Sequence, residues 1–343
     1  MPECRRALRR LAHPAERQSR AAIPVVRVQA TEHELTLSTT DGEVFALSRL
    51  QCEGTATGSA VCNYQVLRRL IEATDAEVLN LETIESGRAL LLGVGHAEAT
   101  LPTFSAETWN EGAPVEGPAT SLDVATLAHM RRIQVSAATD MSRPALCGVH
   151  FGAAAIVASD GHRISVLRHT HAGPPLTIPR ETLSAVLSSL STGAVMRSDG
   201  TRAHISSEEM DWTTPLIDVP FPNYEHILPR YELEPSRMRT EELLGVLNRM
   251  EAVVGAGGSV TINPVSPEEI ELRAGGAELG AIRESVTVDG QLARTATFRV
   301  SYLIDALNSM DTSRPSARIG TDAGPLELRG DRVRHILMPQ SVR

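Results

Sequence analysis

Residues 157–165 read Val-Ala-Ser-Asp-Gly-His-Arg-Ile-Ser, and the rest of the chain is organised around them. Residues 151–157 are mostly apolar, Ser159-Asp160-Gly161 carries turn chemistry, and Arg163-Ile164-Ser165-Val166 restores an alternating pattern. That grammar predicts a tight turn between two buried strands. Glycine takes a positive φ without a Cβ penalty, and an aspartate in this place hydrogen-bonds the backbone just ahead of it. An Asp, a His and an Arg are thereby set at one rim of a sheet. Those side chains suit a metal, a phosphate, a peptide or a plain well-satisfied hairpin.

The chain of 343 residues has room for two or three domains with a core each. With 42% hydrophobic and 22% charged residues it reads as an ordinary globular protein. No apolar run approaches the roughly 20 residues of a membrane span, so no membrane role is expected. The N-terminal Met-Pro-Glu-Cys-Arg-Arg is basic without an apolar h-region, which is not the pattern of a secretory signal. Cys4, Cys52, Cys62 and Cys147 make neither a C-x-x-C pair nor a disulfide framework, so a reducing cytoplasm is the expected compartment. The formal net charge of −9 argues against nucleic acid only if charge is evenly spread. Every basic residue is arginine, whose planar fork suits phosphate.

Taken in order, the chain shows a plan that comes three times. A basic helix over 4–12 is followed by strands near 23–28 and 34–38, a helix over 65–73, and strands near 77–82, 88–94 and 97–104. Residues 110–118 read as a linker. The second copy has helices over 122–136 and 181–190, with strands flanking the opening turn and near 194–197, 202–206 and 211–217. A Pro- and Tyr-rich linker covers 220–235. The third has a helix over 240–254 with Thr240 as its N-cap, strands near 260–262, 269–273, 279–288 and 297–300, a helix over 302–310, and strands near 325–328 and 333–338. Gly255-Ala-Gly-Gly258 follows a helix and reads as a C-cap and turn. The second helices recur roughly every 120 residues, which means a repeated domain rather than a solenoid.

Three further stretches complete the pattern: Arg143-Pro-Ala-Leu-Cys-Gly-Val149, Phe221-Pro-Asn-Tyr-Glu-His-Ile-Leu-Pro229, and His335-Ile-Leu-Met-Pro339. In this order, with the opening turn, the chain resembles the family of the bacterial DNA polymerase III β subunit, the sliding clamp. The resemblance is strongest over 143–229 and weakest before residue 20. It implies an α+β fold of three repeated clamp-type domains, each with two helices packed on antiparallel sheets, at 1–117, 118–231 and 232–343. Two copies would close head to tail into a ring.

The resemblance also implies sites. Polymerase, clamp loader and repair proteins would dock short apolar motifs in a pocket walled by Leu146, Ser159, Gly161, His162, Arg163, Ile164, Pro222, His226, Ile227, Arg299, Tyr302, Ile336, Leu337, Met338 and Pro339. Aliphatic walls with an adaptable methionine suit such a ligand. Arg299 departs from the family's usual Asn, His226 from a common Arg, and the end Gln340-Ser341-Val342-Arg343 from the usual tail. Duplex phosphates would meet Arg5, Arg9, Arg20, Arg68, Arg69, Arg131, Arg132, Arg143, Arg180 and Arg249, contacts without sequence preference. For any single helix, a solvated outer face explains its arginines as well. Trp109, Ala252 and Val253 would sit near the dimer junction. The implied protein is a non-catalytic processivity factor with no cofactor and no metal, in the cytoplasm about the nucleoid. The alternative is a divergent paralogue dedicated to repair or acting as a monomer. An enzymatic reading would rest on Cys147 near His150, or on His162, His169, His171 and Asp160 around a zinc. The sequence has no HExxH, G-x-S-x-G, P-loop or helix-opening G-x-G-x-x-G to support it.

Overall fold

The structure, a computed structural model, describes the chain except for residues 18–22, 106–108, 110–113, 229–230, 232–233, 277–279, 293, 321–323, 341–343 and the side chain of Ile227. One order of elements comes three times. The first run is α1 (Pro2–Arg10), α2 (Ala12–Arg17), β1 (Val25–Ala30), β2 (Glu34–Thr40), β3 (Phe45–Gln51), β4 (Gly58–Asn63), α3 (Tyr64–Glu72), β5 (Leu79–Ile84), β6 (Ala89–Val94) and β7 (Ala97–Phe104). The second is β8 (Thr120–Leu122), α4 (Val124–Ile133), β9 (Gly148–Phe151), β10 (Ala155–Ser159), β11 (Arg163–Arg168), β12 (Leu176–Pro179), α5 (Arg180–Ser189), β13 (Ala194–Ser198), β14 (Arg202–Ser206) and β15 (Met210–Pro215). The third is β16 (Ser236–Met238), α6 (Thr240–Val254), β17 (Ser259–Ser266), β18 (Glu269–Gly276), β19 (Gly280–Asp289), β20 (Ala296–Arg299), α7 (Val300–Asn308), β21 (Ser316–Ile319), β22 (Leu326–Arg329) and β23 (Val333–Leu337).

Local chemistry accounts for the helix ends. Pro2 and Glu3 open α1 and Arg9 and Arg10 close it, as the helix dipole favours. The Asn63 side chain caps α3 by accepting from Val66 N–H at 3.0 Å. Gly255 ends α6 at φ 72°, its N–H donating to the Glu251 carbonyl at 2.7 Å. Thr240 is not the N-cap of α6. Arg239 holds that position, and the Thr240 hydroxyl donates to the Thr312 carbonyl at 3.2 Å. The pattern of residues alone also gave no sign of α2 or of the strands β3, β4, β8, β16 and β21.

The chain forms two compact units. The first, residues 1–124 and 181–216, carries one sheet in the order β5-β6-β7-β4-β1-β2-β3-β15-β14-β13-β8. Its core holds Trp212, Tyr64, Leu8 and Leu11. Trp212 Nε1 donates to Ser189 Oγ at 2.9 Å and the Tyr64 hydroxyl to the Leu8 carbonyl at 2.8 Å, so both buried aromatics keep their polar ends satisfied. The second unit, residues 125–180 and 217–343, carries the order β12-β9-β10-β11-β23-β22-β21-β16-β19-β18-β17-β20. Phe298, Met250 and Leu247 lie in its larger core. Its smaller cluster is Ala155, Val157, Ile164, Val166 and Ile336, covered by Phe221, Tyr224 and Leu228.

Each unit contains the same junction. The penultimate strand before a run's second long helix pairs antiparallel with the last strand of the following run. In the first unit β3 pairs with β15, from Phe45 opposite Thr213 to Ser48 opposite Met210. In the second β11 pairs with β23, from Arg163 opposite Leu337 to Leu167 opposite Val333.

Candidate partner-binding and nucleic-acid surfaces

The turn at Ser159–Gly161 folds as its residues dictate. Gly161 has φ 88°, the Ser159 hydroxyl donates to the Arg163 carbonyl at 2.8 Å, and Asp160 Oδ1 accepts from the His162 and Arg163 N–H groups at 2.9 and 3.0 Å. A side chain at Gly161 would run into the Arg143 guanidinium. The turn thus places Arg163 at the first pair of the β11–β23 junction.

Strand alternation divides the expected pocket between two faces of the sheet. One face presents Ile164 and Ile336, paired side by side and buried in the smaller cluster under Phe221 and Tyr224. Phe221 stacks on His150, ring centres 4.7 Å apart. The other face presents Arg163, Ser165 and His335. Leu337 is a correction to the expected pocket: it packs into the larger core of the third run, away from Ile336. The two faces meet at the hairpin tip, where Met338 N–H donates to the His162 carbonyl at 2.9 Å. There Met338 stands 47% exposed beside the exposed His162 and Gly161, with Pro339 half-buried. Pro222 and His226 are also exposed, Leu146 and Ser159 are buried, and the Ile227 side chain lies outside the described residues.

Arg163 is a tie rather than an open wall. Its side chain is 9% exposed. Its Nε donates to Asp160 at 3.1 Å, Nη1 to Asp305 at 2.6 Å and Nη2 to the Val135 carbonyl at 2.7 Å. Its guanidinium also lies over the Tyr302 ring, 4.1 Å from the centroid. Arg299 lies over the same ring at 5.1 Å and donates to the Tyr302 hydroxyl at 3.4 Å. Burial, with Asp160 nearby, pushes the Tyr302 hydroxyl above its ordinary pKa.

Behind Arg163 runs a buried polar chain that sequence reasoning missed. Ser309 spends its proton on the Ala306 carbonyl at 2.8 Å, so it accepts from His335 Nε2 at 2.6 Å. That fixes the tautomer. Nδ1 then accepts from Ser165 at 2.7 Å, and Ser165 accepts from Ser136 at 2.6 Å. Burial first, and the Arg163 charge second, hold the His335 pKa down at about 3. The available signal was a histidine beside the apolar Ile336 and Leu337 of the final strand.

The arginines fall into three groups. Several are already engaged. Arg5 donates to the carbonyls of Ile71 (3.0 Å) and Thr74 at the end of α3. Arg9 pairs with Glu72 at 3.0 Å, and Arg68 with Glu16 at 2.9 Å and Glu72 at 3.3 Å. Arg249 makes a two-pronged pair with Glu284 at 2.8 and 2.6 Å, and Arg180 donates to the Ala137 carbonyl at 3.2 Å. Arg69, Arg132 and Arg143 are exposed, as is Arg6, while Arg131 is half-buried. Arg20 lies outside the described residues. In the first unit Arg5, Arg6, Arg9, Arg10 and His13 line an open cleft of about 850 Å³ closed on its far side by Ala185, Ser188 and Ser189 of α5.

Of the expected junction residues, Ala252 is exposed and Val253 half-buried at the end of α6. Trp109 is half-buried, its Nε1 without an acceptor among the described residues. The thiol and histidine alternatives find little chemistry. Burial, reinforced by Asp140, raises the Cys147 pKa, and its thiol donates to the Asp140 carbonyl at 3.2 Å. His171 is bonded to the Pro174 carbonyl at 3.0 Å. Among the described residues no three His, Cys, Asp or Glu side chains gather as a metal site. No helix among them is long and apolar enough to cross a membrane.

No family model matches the chain. It is 26% identical over 325 residues to the beta sliding clamp of Haemophilus influenzae, covering 85% of this chain and 84% of that one. To the Vibrio cholerae beta sliding clamp it is 25% identical over 353 residues, 93% of each chain. Among solved structures, the DNA polymerase III subunit beta of Pseudomonas aeruginosa superposes with a TM-score of 0.86 at 20% identity, over 99% of this chain and 98% of that one. The Helicobacter pylori beta clamp bound to a DNA ligase peptide gives 0.88 at 17%, with the same coverage. The fold is that of the sliding clamps from end to end, and the chain is a divergent relative of the bacterial beta sliding clamps.

Proposed function

We propose that the chain is a DNA sliding clamp: two copies close head to tail around duplex DNA and tether partner proteins that dock at the tip of the β10–β11 hairpin. The three runs would be domains with boundaries at 1–117, 118–231 and 232–343. The observation that carries the proposal is the junction seen twice. If β3 joins β15 and β11 joins β23, the same rule pairs β19 of the third run with β7 of the first. Among the described residues of one chain those edges stay largely open: β7 meets β4 only at Thr103 and Phe104, and β19 meets β16 only at Val288 and Asp289. An open strand edge is a template for another chain, so the complementary edges of two copies would close a ring.

In a ring, retention is topological. Phosphate contacts need only be weak and sequence-independent, and the exposed Arg6, Arg69 and Arg132 suit that task. The pairing of Arg68 and Arg249 with acids would keep such contacts from becoming an anchor. Partner affinity would come from an apolar motif laid across Met338, Pro339, Pro222 and the Tyr302 ring. A Helicobacter pylori relative carries a ligase peptide, which supports docking of this kind here. The same reading makes the chain a non-catalytic subunit that works with a polymerase, a loader and repair proteins in the cytoplasm about the nucleoid. The low identity favours, as a second reading, a clamp copy dedicated to repair.

Ring closure has a direct test. Thr100→Cys on β7 and Ser285→Cys on β19, combined in one chain and treated with a bismaleimide, should give a product of twice the 36.9 kDa chain mass. Neither single variant should do so. A double variant that stays at the chain mass in light scattering would contradict the ring.

A further inference from the structure

Arg299 and Arg163 share the Tyr302 ring but not the same electrostatic fate. Arg163 is neutralised by Asp160 and Asp305 and donates from each of its three side-chain nitrogens. Arg299 sits half-buried at the N-cap of α7, and among the described residues its side chain makes the 3.4 Å contact to the Tyr302 hydroxyl. Among the described residues its buried Nε has no acceptor and no carboxylate pairs with it. A guanidinium held against an aromatic face, with donors unspent, is a built half of a carboxylate clamp. Its place is fixed at the docking surface. Tyr302 carries Arg163, Arg163 opens the β11–β23 junction, and Gln340, two residues after Met338, is tied to β20 through the Thr297 carbonyl at 2.8 Å.

We propose that Arg299 reads an acidic side chain beside the apolar anchors of the docked segment, so that this surface selects acidic-apolar peptides over neutral ones. The inference rests on the partner-docking reading above and adds the charge of the ligand to it. A planar fork with free donors discriminates a carboxylate from its amide because the pairing is charge-assisted and two-pronged. The exposed Met338 and half-buried Pro339 supply apolar area but no such discrimination.

The test uses the full chain and a set of synthetic hexapeptides with two large apolar anchors. Each carries one Asp, or one Asn, at each remaining position in turn, and binding is read by fluorescence polarisation at low and high salt. The expected result is one position where Asp binds about tenfold tighter than Asn at low salt. That preference, read as the ratio of Asp to Asn affinity within the one variant, should vanish in Arg299→Asn. Arg299→Glu should invert it toward a Lys-bearing peptide. Equal binding of every Asp and Asn pair by the unaltered chain would overturn the charge reading and leave the apolar surface standing. The same holds if the preference survives in a folded Arg299→Asn variant. Binding of no peptide at all, acidic or neutral, would overturn the docking surface and the inference with it.

Discussion

Among single residues, the turn at Ser159–Gly161 proves less particular than its neighbours. The same hydrogen-bond pattern recurs at Thr40-Asp41-Gly42 and at Ser198-Asp199-Gly200, where Gly42 and Gly200 have φ 96° and 90°. The Ser/Thr-Asp-Gly turn is a structural unit of this fold. What sets the middle copy apart is the reach of Arg163 to Asp305, 142 positions away. Arg163→Ala should therefore cost stability, about 2 kcal/mol by denaturant titration, because it strands the mostly buried Asp160. Met338→Ala should leave stability alone and weaken a docked apolar peptide about tenfold in a polarisation assay, since its side chain stands out in solvent. Wild-type affinity in Met338→Ala would remove it from the surface. His335 makes a third prediction. Its pKa, held at about 3, lies below the ordinary 6.5. Below pH 6.5 the unfolded chain takes up a proton that the folded one refuses. The stability is therefore full above that pH and lost as pH falls toward 3. Stability measured against pH should fall more steeply over that window for the native chain than for His335→Gln. Parallel curves would contradict the assignment. The turn that carries Arg163 was legible in the sequence. The Ser136–Ser165–His335–Ser309 chain was not, because only the strand pairing brings those four together.

Among the elements, the long helices were readable, while α2 and the strands β3, β4, β8, β16 and β21 were not. β8 and β16 exist because longer strands pair with them, β21 is held between β16 and β22, and the pattern of each is too short to show a period. Facing was the harder matter. Ile336 and Leu337 look alike in sequence, yet one residue of alternation sends them into different clusters. The same distinction sorts the arginines. Arg5, bonded to the carbonyls that end α3, should behave as a structural cap, and Arg5→Ala should lower stability by about 1 kcal/mol in thermal unfolding. Reversing the exposed Arg132 to Glu should instead leave unfolding unchanged and weaken DNA association. The slope of log affinity against log salt should shrink by about 0.9 for each phosphate that the protein no longer neutralises. An unchanged slope would turn that helix to the outside.

For the whole molecule, the threefold order was visible in the sequence as three helix-then-strand runs, although the copies share little sequence. Pairing between runs was not visible, since a strand edge carries no mark of its partner until registers are known. The two observed junctions, β3 with β15 and β11 with β23, supply the rule from which ring closure follows. The most direct measurement is retention on DNA after loading, compared on closed circles and on the same molecules cut once, with solution mass taken from the same sample. A topological clamp should be a dimer that remains on circles through a high-salt wash and is lost from cut DNA by running off its ends. Equal, salt-labile retention on both forms would contradict ring closure.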